Sequence, residues 1–156
     1  DSRARYRDLI IRLSRKLKTP VFDPHCTLYG RLNIDIDKIK PIVSDLVSTK
    51  DQFSTSIKRL KTGKTKWKSL YLPLDNNENL SYLYGTCKNK FSYARRYTFD
   101  PHISLVYGIF DPETVHYATK NLTIPEYLAF SGIAVVKTGD DISSWEIVFQ
   151  RQFWSN

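Results

Sequence analysis

The sequence predicts an α+β fold with a largely antiparallel sheet. Segments of helical and of strand-like hydrophobic spacing alternate in the order helix, strand, helix, hairpin, helix, strand, helix, hairpin. The second half of this order repeats the first almost element for element. Hydrophobic residues make up 41% of the 156 residues, which is enough to close the core of one domain spanning residues 1–156.

The first helix is expected over residues 3–18, where apolar side chains recur at helical spacing until Thr19-Pro20 ends the run. A strand is expected over residues 22–32. The next amphipathic helix is expected to hold Pro41 in its first turn, where the missing N–H has no partner to lose.

The later elements follow from the same two periodicities and from turn and cap residues. A hairpin is expected from residues 53–60 and 67–74, with its turn at Thr62-Gly63-Lys64, followed by a helix capped within residues 75–77. A strand over 99–107 and a short helix that begins at 111–113 and ends near 121 come next. A hairpin of residues 127–136 and 145–153 closes the chain.

One internal repeat stands out. Residues 22–28 and 99–105 both read F-D-P-H-x-[S/T]-L, and each copy enters a predicted strand. Because alternate side chains of a strand share a face, His25 is predicted to lie beside Thr27 and Tyr29, and His102 beside Ser104. Each copy therefore offers an imidazole and a hydroxyl on one surface.

Paired imidazoles suit hydrolysis of a phosphodiester without a metal. One removes a proton from the attacking water and the other protonates the leaving oxygen, and both have a pKa near neutrality. Hydroxyls at Thr27 and Ser104 can donate to the phosphate oxygens as charge builds there. The sequence does not say whether His25 or His102 is the base. Aromatic residues could stack a base, and Tyr29 is the best placed by strand parity, with Trp67 and Trp145 as further candidates.

The composition indicates which ligands and which cellular compartment to expect. A net charge of +8 and a pI near 9.5 favour polyanionic ligands, so a nucleotide or a short RNA-derived phosphodiester is the expected substrate. Two cysteines, Cys26 and Cys87, provide neither a disulfide framework nor a zinc cluster. With no apolar stretch of transmembrane length, we expect a cytoplasmic protein without cofactor, metal, membrane contact or obligate protein partner.

The two motifs resemble the paired H-x-[S/T]-hydrophobic signature of the two-histidine (2H) phosphoesterase superfamily, and residues 99–108 are similar to the second motif of the plant and yeast cyclic phosphodiesterase family. The resemblance runs from about Phe22 to Phe153. It implies a bilobal fold with two pseudo-symmetric antiparallel sheets and outer helices around a central cleft, and a metal-free reaction. It also implies that His25 and His102 are catalytic, that Thr27 and Ser104 hold phosphate oxygens, and that Tyr107 contacts the phosphate.

The expected activity follows from that resemblance: opening of ribonucleoside 2′,3′-cyclic phosphates or ADP-ribose 1″,2″-cyclic phosphate, leaving the phosphate on the 2′ or 1″ oxygen. One alternative is a 2H enzyme that cleaves 2′,5′-oligoadenylates or cyclic oligonucleotide defence signals. Another is a non-catalytic RNA-binding module, although no strand carries the aromatic-glycine pattern of an RNA recognition motif. A zinc hydrolase is weaker, because two histidines without matching carboxylates or cysteines make a poor ligand set.

Overall fold

The structure is a computed structural model that describes Ser2–Ser155, and it confirms the predicted α+β class. Four α-helices occur in the described residues: α1 (Ser2–Leu17), α2 (Ile36–Ser48), α3 (Glu78–Phe91) and α4 (Pro112–Thr119). Seven strands accompany them: β1 (Phe53–Ser56), β2 (Lys61–Thr65), β3 (Lys68–Pro73), β4 (His102–Val106), β5 (Tyr127–Phe130), β6 (Gly132–Lys137) and β7 (Glu146–Gln152). β1 pairs with β5, and the other sheets are described below. None of the described helices is long and apolar enough to cross a membrane.

The chain folds as two compact units, each built from three segments. Unit 1 comprises Asp1–Cys26, Ser56–Asp75 and Pro101–Leu128, and unit 2 comprises Thr27–Thr55, Asn76–Asp100 and Ala129–Asn156. The division falls inside both copies of the repeat, after Cys26 in the first and after Asp100 in the second. Each unit therefore receives part of each motif.

Unit 1 is built on a three-stranded antiparallel sheet in the order β2-β3-β4. Helix α1 packs against β4 and α4. The core of the unit is formed by side chains that are almost fully removed from solvent, namely Tyr6, Leu9, Ile10 and Leu13 of α1, Leu70 and Leu72 of β3, and Ile103 and Leu105 of β4. Burial of these apolar surfaces holds β4, and therefore His102 at its first position, in a fixed place.

Unit 2 combines helices α2 and α3 with the antiparallel β6–β7 hairpin. One apolar cluster joins them: Ile39, Val43, Leu46 and Val47 from α2, Leu83, Cys87 and Phe91 from α3, and Phe153 after β7. Asp35 caps α2 and Asn77 caps α3, each through its side-chain oxygen, and the second cap was predicted within residues 75–77. An antiparallel sheet with two helices thus recurs in both units, as the duplicated element order indicated.

The strand predicted over residues 22–32 is not formed. Residues 21–27 have no regular secondary structure and the chain bends at Leu28 and Tyr29. Pro24 has no N–H to give to a ladder, and Asp23 offers its carbonyl oxygen to the His25 ring rather than to a neighbouring strand. The strand-parity argument that grouped His25 with Thr27 and Tyr29 therefore loses its basis.

Two local predictions were also wrong. The strand at residues 53–56 pairs with β5 and not with β3, whose hairpin partner is β2. Thr62-Gly63-Lys64 lies within β2, and this hairpin turns at Lys66 and Trp67. Gly63 is needed for close approach, because a Cβ atom there would lie 1.8 Å from the Lys68 carbonyl oxygen, where the β2–β3 register shifts. Pro41 lies in the interior of α2 rather than its first turn, since the Asp35 cap starts the helix earlier.

Candidate active site

Both repeat histidines belong to unit 1. His102 is the first residue of β4, and His25 lies in the segment without regular secondary structure that follows α1. The His25 side chain is accessible to solvent, yet surrounding protein displaces enough water for desolvation to be the main cause that lowers its pKa. Positive charge on His102 lowers the pKa of His25 further, so the two imidazoles interact electrostatically. A neutral His25 is therefore favoured when His102 is protonated.

The orientation of the His25 ring is held by its own motif. Its Nδ1 atom lies 2.7 Å from the backbone oxygen of Asp23. A carbonyl oxygen only accepts hydrogen bonds, so Nδ1 donates and carries the proton in the neutral ring. The Nε2 lone pair is then the one available to a substrate or a water molecule. The Asp23 backbone bond acts against the desolvation by favouring the charged ring, but the net pKa of His25 stays lowered.

The Asp23 carboxylate forms ion pairs with two arginines of α1. Arg3 Nη2 lies 2.8 Å from Asp23 Oδ2, and Arg7 forms an ion pair with Asp23 Oδ1. These charges are exposed to solvent, so the pairs contribute little to stability. Their effect is geometric, because two arginines one helical turn apart restrain the residue whose carbonyl oxygen orients His25.

His102 is placed by the sheet and by one aromatic side chain. It is directly opposite Pro73 in the β3–β4 ladder, and Tyr71 is directly opposite Ser104. The Tyr71 and His102 rings meet edge to face with centroids 5.5 Å apart at 71°. Tyr71 and Ser104 therefore share the sheet face that carries His102.

Ser104 and Tyr107 form a buried hydroxyl pair in unit 1. Their side chains are joined by a hydrogen bond, and they are 4% and 7% exposed. Burial raises the pKa of Tyr107, while the bond with Ser104 acts in the opposite direction, so Tyr107 keeps its proton at neutral pH. The Tyr107 ring packs on Phe22. The Phe22 and His25 rings meet edge to face with centroids 6.1 Å apart, so Phe22 connects the first motif to Tyr107. The ring of half-buried Trp67 also contacts Tyr107, with centroids 5.6 Å apart.

Thr27 and Tyr29, the remaining predicted site residues, belong to unit 2. The Tyr29 ring packs among Tyr84, Phe91 and Tyr97, and its hydroxyl donates to the backbone oxygen of Arg95. These are the contacts of a packed aromatic residue. Thr27 is partly buried, and its methyl group lies beside Gly30.

Sequence reasoning missed the residues that hold the histidines in place. The repeated aspartate of the F-D-P-H motif was a signal for Asp23, but nothing in the pattern linked it to Arg3 and Arg7 of the preceding helix. Tyr71 lay inside the strand predicted over residues 67–74, but no motif marked it as a site residue. His116, the third histidine of the chain, is exposed on α4. Within Ser2–Ser155 no cluster of three or more histidine, cysteine or acidic side chains could hold a metal ion.

Comparison with known proteins places these observations in a family. The sequence model of the family described as "Cyclic phosphodiesterase-like protein" matches residues 2–153, nearly the whole chain. A cyclic phosphodiesterase from Arabidopsis thaliana is 22% identical over 157 residues, an alignment that covers 95% of this chain and 87% of the plant protein.

Proposed function

Since the chain belongs to the family of cyclic phosphodiesterase-like proteins, which are hydrolases, we propose that it opens cyclic nucleotide phosphodiesters with His25 and His102 as its acid–base pair. The expected substrates are nucleoside 2′,3′-cyclic phosphates or ADP-ribose 1″,2″-cyclic phosphate. The observation that carries the proposal is that both repeat histidines lie in unit 1, together with the hydroxyls of Ser104 and Tyr107. The Arabidopsis relative named for a cyclic phosphodiesterase activity supports it.

In the proposed reaction one imidazole takes a proton from water as the water oxygen bonds to phosphorus. The bond from phosphorus to one ribose oxygen breaks, and the other imidazole gives its proton to that leaving oxygen. The product is a phosphomonoester with a free hydroxyl next to it. After turnover the first ring is protonated and the second is not, and exchange with solvent restores the starting state.

We assign the base role to His25. Its pKa is lowered, so the ring is neutral at physiological pH, and its Nδ1 hydrogen bond to the Asp23 carbonyl leaves Nε2 as the proton acceptor. His102 is then the acid. Mutual repulsion of two imidazolium rings supports this division, since it favours the state in which only one of the pair is charged.

Hydroxyl groups stabilise the charge that builds on the phosphate oxygens. Ser104 lies on the sheet face of His102, and its partner Tyr107 keeps its proton. In their hydrogen bond one hydroxyl donates to the other, so the accepting hydroxyl still has its own O–H to donate to a phosphate oxygen. We propose Thr27 as the corresponding donor of the first motif, because it occupies the place that Ser104 has in the second. Tyr29 remains a proposed base-stacking residue, although its observed contacts are those of packing.

A substrate panel with EDTA present tests the proposal. Adenosine 2′,3′-cyclic phosphate, ADP-ribose 1″,2″-cyclic phosphate and 2′,5′-oligoadenylate are each incubated with the protein, and phosphorus NMR reports the product isomer. We expect turnover of a cyclic phosphate without metal, and loss of about two to four orders of magnitude in kcat for His25→Ala and for His102→Ala. Cleavage of the oligoadenylate alone would instead show that the substrate of this protein is an oligonucleotide and not a cyclic phosphate.

His116→Ala is the matched control, because His116 is the third histidine of the chain and is exposed on α4. It is expected to keep wild-type activity. Full activity in His102→Ala would refute the acid–base pair, and RNA binding without turnover of any substrate would favour a non-catalytic module. A reducing cytoplasmic setting fits the two cysteines, neither of which forms a disulfide.

A further inference from the structure

A row of three side chains crosses the sheet of unit 1 and ends at a lysine. Lys61 of β2 is directly opposite Tyr71 of β3, and Tyr71 is directly opposite Ser104 of β4. Residues that face each other across a ladder project to the same side of the sheet. With neighbouring strands about 4.8 Å apart, the Cα atom of Lys61 lies about 10 Å from that of Ser104.

A second lysine reaches the same aromatic ring. The Lys68 Nζ atom lies 4.4 Å from the centroid of the Tyr71 ring, in a cation–π contact. That ring also meets the edge of His102. Lys61 and Lys68 are therefore both adjacent to Tyr71. Tyr71 in turn neighbours Ser104 and His102, the proposed acid.

Positive charge is concentrated on this unit. Unit 1 holds 14 of the 24 Lys and Arg residues of the chain but 7 of its 16 Asp and Glu residues. All five residues of β2 are exposed, and Lys61 forms no ion pair within Ser2–Ser155. The segment of residues 56–75 contains one acidic residue, Asp75, and this residue pairs with Lys58. The charge of Lys61 is therefore available to an anionic ligand.

We infer that Lys61 and Lys68 form a subsite for a second phosphate group of the substrate, attached to the 5′ oxygen of the ribose that carries the cyclic phosphate. This inference rests on the proposed function. In a 2′,3′-cyclic phosphate the O2′ and O3′ atoms are both used by the ring, so a further phosphate on that ribose is attached through O5′. A cyclic phosphate bound at Ser104 then directs its 5′ group along the sheet row or over Tyr71, toward two ammonium groups.

The substrate class that follows is a cyclic phosphate with a 5′ phosphate extension. Such an extension occurs at the end of an RNA strand and in a diphosphate-linked ribose. Both present the same chemistry to Lys61 and Lys68, an anionic phosphodiester or diphosphate oxygen beside an ammonium group.

A matched pair of substrates isolates that chemistry. Adenosine 2′,3′-cyclic phosphate and adenosine 5′-phosphate 2′,3′-cyclic phosphate differ only in the 5′ group. We expect the wild-type protein to turn over the second with a kcat/KM about tenfold higher at low salt, and this preference to shrink as salt rises. Lys61→Gln is expected to reduce the preference at least threefold, Lys68→Gln similarly, and Lys61→Arg to retain it.

Lys88→Gln provides the control, because it removes one exposed positive charge from α3 in unit 2 and is expected to keep the preference. Equal kcat/KM for the two substrates in the wild type, or an unchanged preference in both lysine variants, overturns the subsite while leaving the proposed hydrolysis intact. Absence of turnover of either substrate overturns the proposed function, and the subsite with it.

Two further substrates distinguish an RNA end from a diphosphate-linked ribose as the occupant of the subsite. They are a dinucleotide ending in a 2′,3′-cyclic phosphate and ADP-ribose 1″,2″-cyclic phosphate. A preference for either one over adenosine 2′,3′-cyclic phosphate that depends on Lys61 supports the subsite. The larger preference identifies an RNA end or a diphosphate as its occupant.

Discussion

The imidazole of His25 donates from Nδ1 to the backbone oxygen of Asp23, two residues earlier, at 2.7 Å. A carbonyl oxygen cannot titrate, so this contact keeps the same ring nitrogen protonated throughout the working pH range. Asp23 is in turn paired with Arg3 and Arg7. The first turns of α1 are thereby linked through Asp23 to the ring of His25.

The pH dependence of activity should reflect the lowered pKa of His25. A base must be unprotonated to act, so kcat/KM rises with pH through the pKa of His25 in the free enzyme, and this limb is expected to have its midpoint below the ordinary histidine value of 6.5. A pH–rate profile measures it. An acidic limb centred above 6.5 would contradict the assignment of His25 as the base.

Stability should change with pH in a direction set by the same residue. Because folding lowers the pKa of His25, the unfolded chain takes up a proton near pH 6.5 while the folded chain does so only at lower pH. The contribution is present above 6.5 and is lost as pH falls through the folded value. Urea unfolding of wild type and His25→Gln at about pH 7.5 and about pH 5.5 should show a smaller acid loss in the variant. His116→Gln, at an exposed position, should lose stability as the wild type does.

Ser104→Ala is expected to lower kcat by about two orders of magnitude, because the buried hydroxyl that we propose as a donor to the phosphate oxygens is removed. Tyr107→Phe keeps the packing on Phe22 but loses the hydrogen bond to Ser104, so a smaller loss, about tenfold, is expected. Single-turnover kinetics with a cyclic phosphate measures both. If Ser104→Ala changed KM alone, Ser104 would be a binding group without a role in the transition state.

Tyr71→Leu is expected to lower kcat about three- to tenfold, because the ring that restrains the His102 imidazole is lost. Tyr71→Phe retains the ring and should restore activity close to that of wild type. The comparison separates positioning of His102 from general structural damage, which thermal unfolding of both variants would reveal. Equal activity in the leucine and phenylalanine variants would show that the ring does not position His102.

One substitution type should have opposite effects at two glycines. Gly63→Ala is expected to destabilise the protein by about 1–3 kcal/mol, since its Cβ would lie 1.8 Å from the Lys68 carbonyl oxygen. Gly85→Ala in α3 meets no atom within 4 Å and should stabilise by up to about 1 kcal/mol through helix propensity. Urea denaturation of the two variants tests the pair, and destabilisation by both would mean that the space around Gly85 is not open in solution.

Much of the local structure was predictable because it depends on neighbours in the chain. The apolar spacing of residues 3–18 predicted α1 within one residue at each end, and Asn77 and Asp111 cap α3 and α4 where turn and cap residues indicated. The predictions that failed depend on contacts between elements, which the spacing of residue types along the chain does not reveal. Gly63 was interpreted as a turn residue although it serves the approach of Lys68, and the segment after Phe22 read as a strand although its backbone has no ladder partner.

The sequence by itself determined the α+β class and singled out the two histidines, because a duplicated motif and hydrophobic periodicity are properties of order along the chain. Only the tertiary structure decided what holds those histidines. The Arg3 and Arg7 pairs with Asp23, the Tyr71 contact with His102 and the Ser104–Tyr107 hydrogen bond join positions from 3 to 31 residues apart. Such contacts exist only after burial of the core has fixed helix and strands against each other, and no periodicity encodes them.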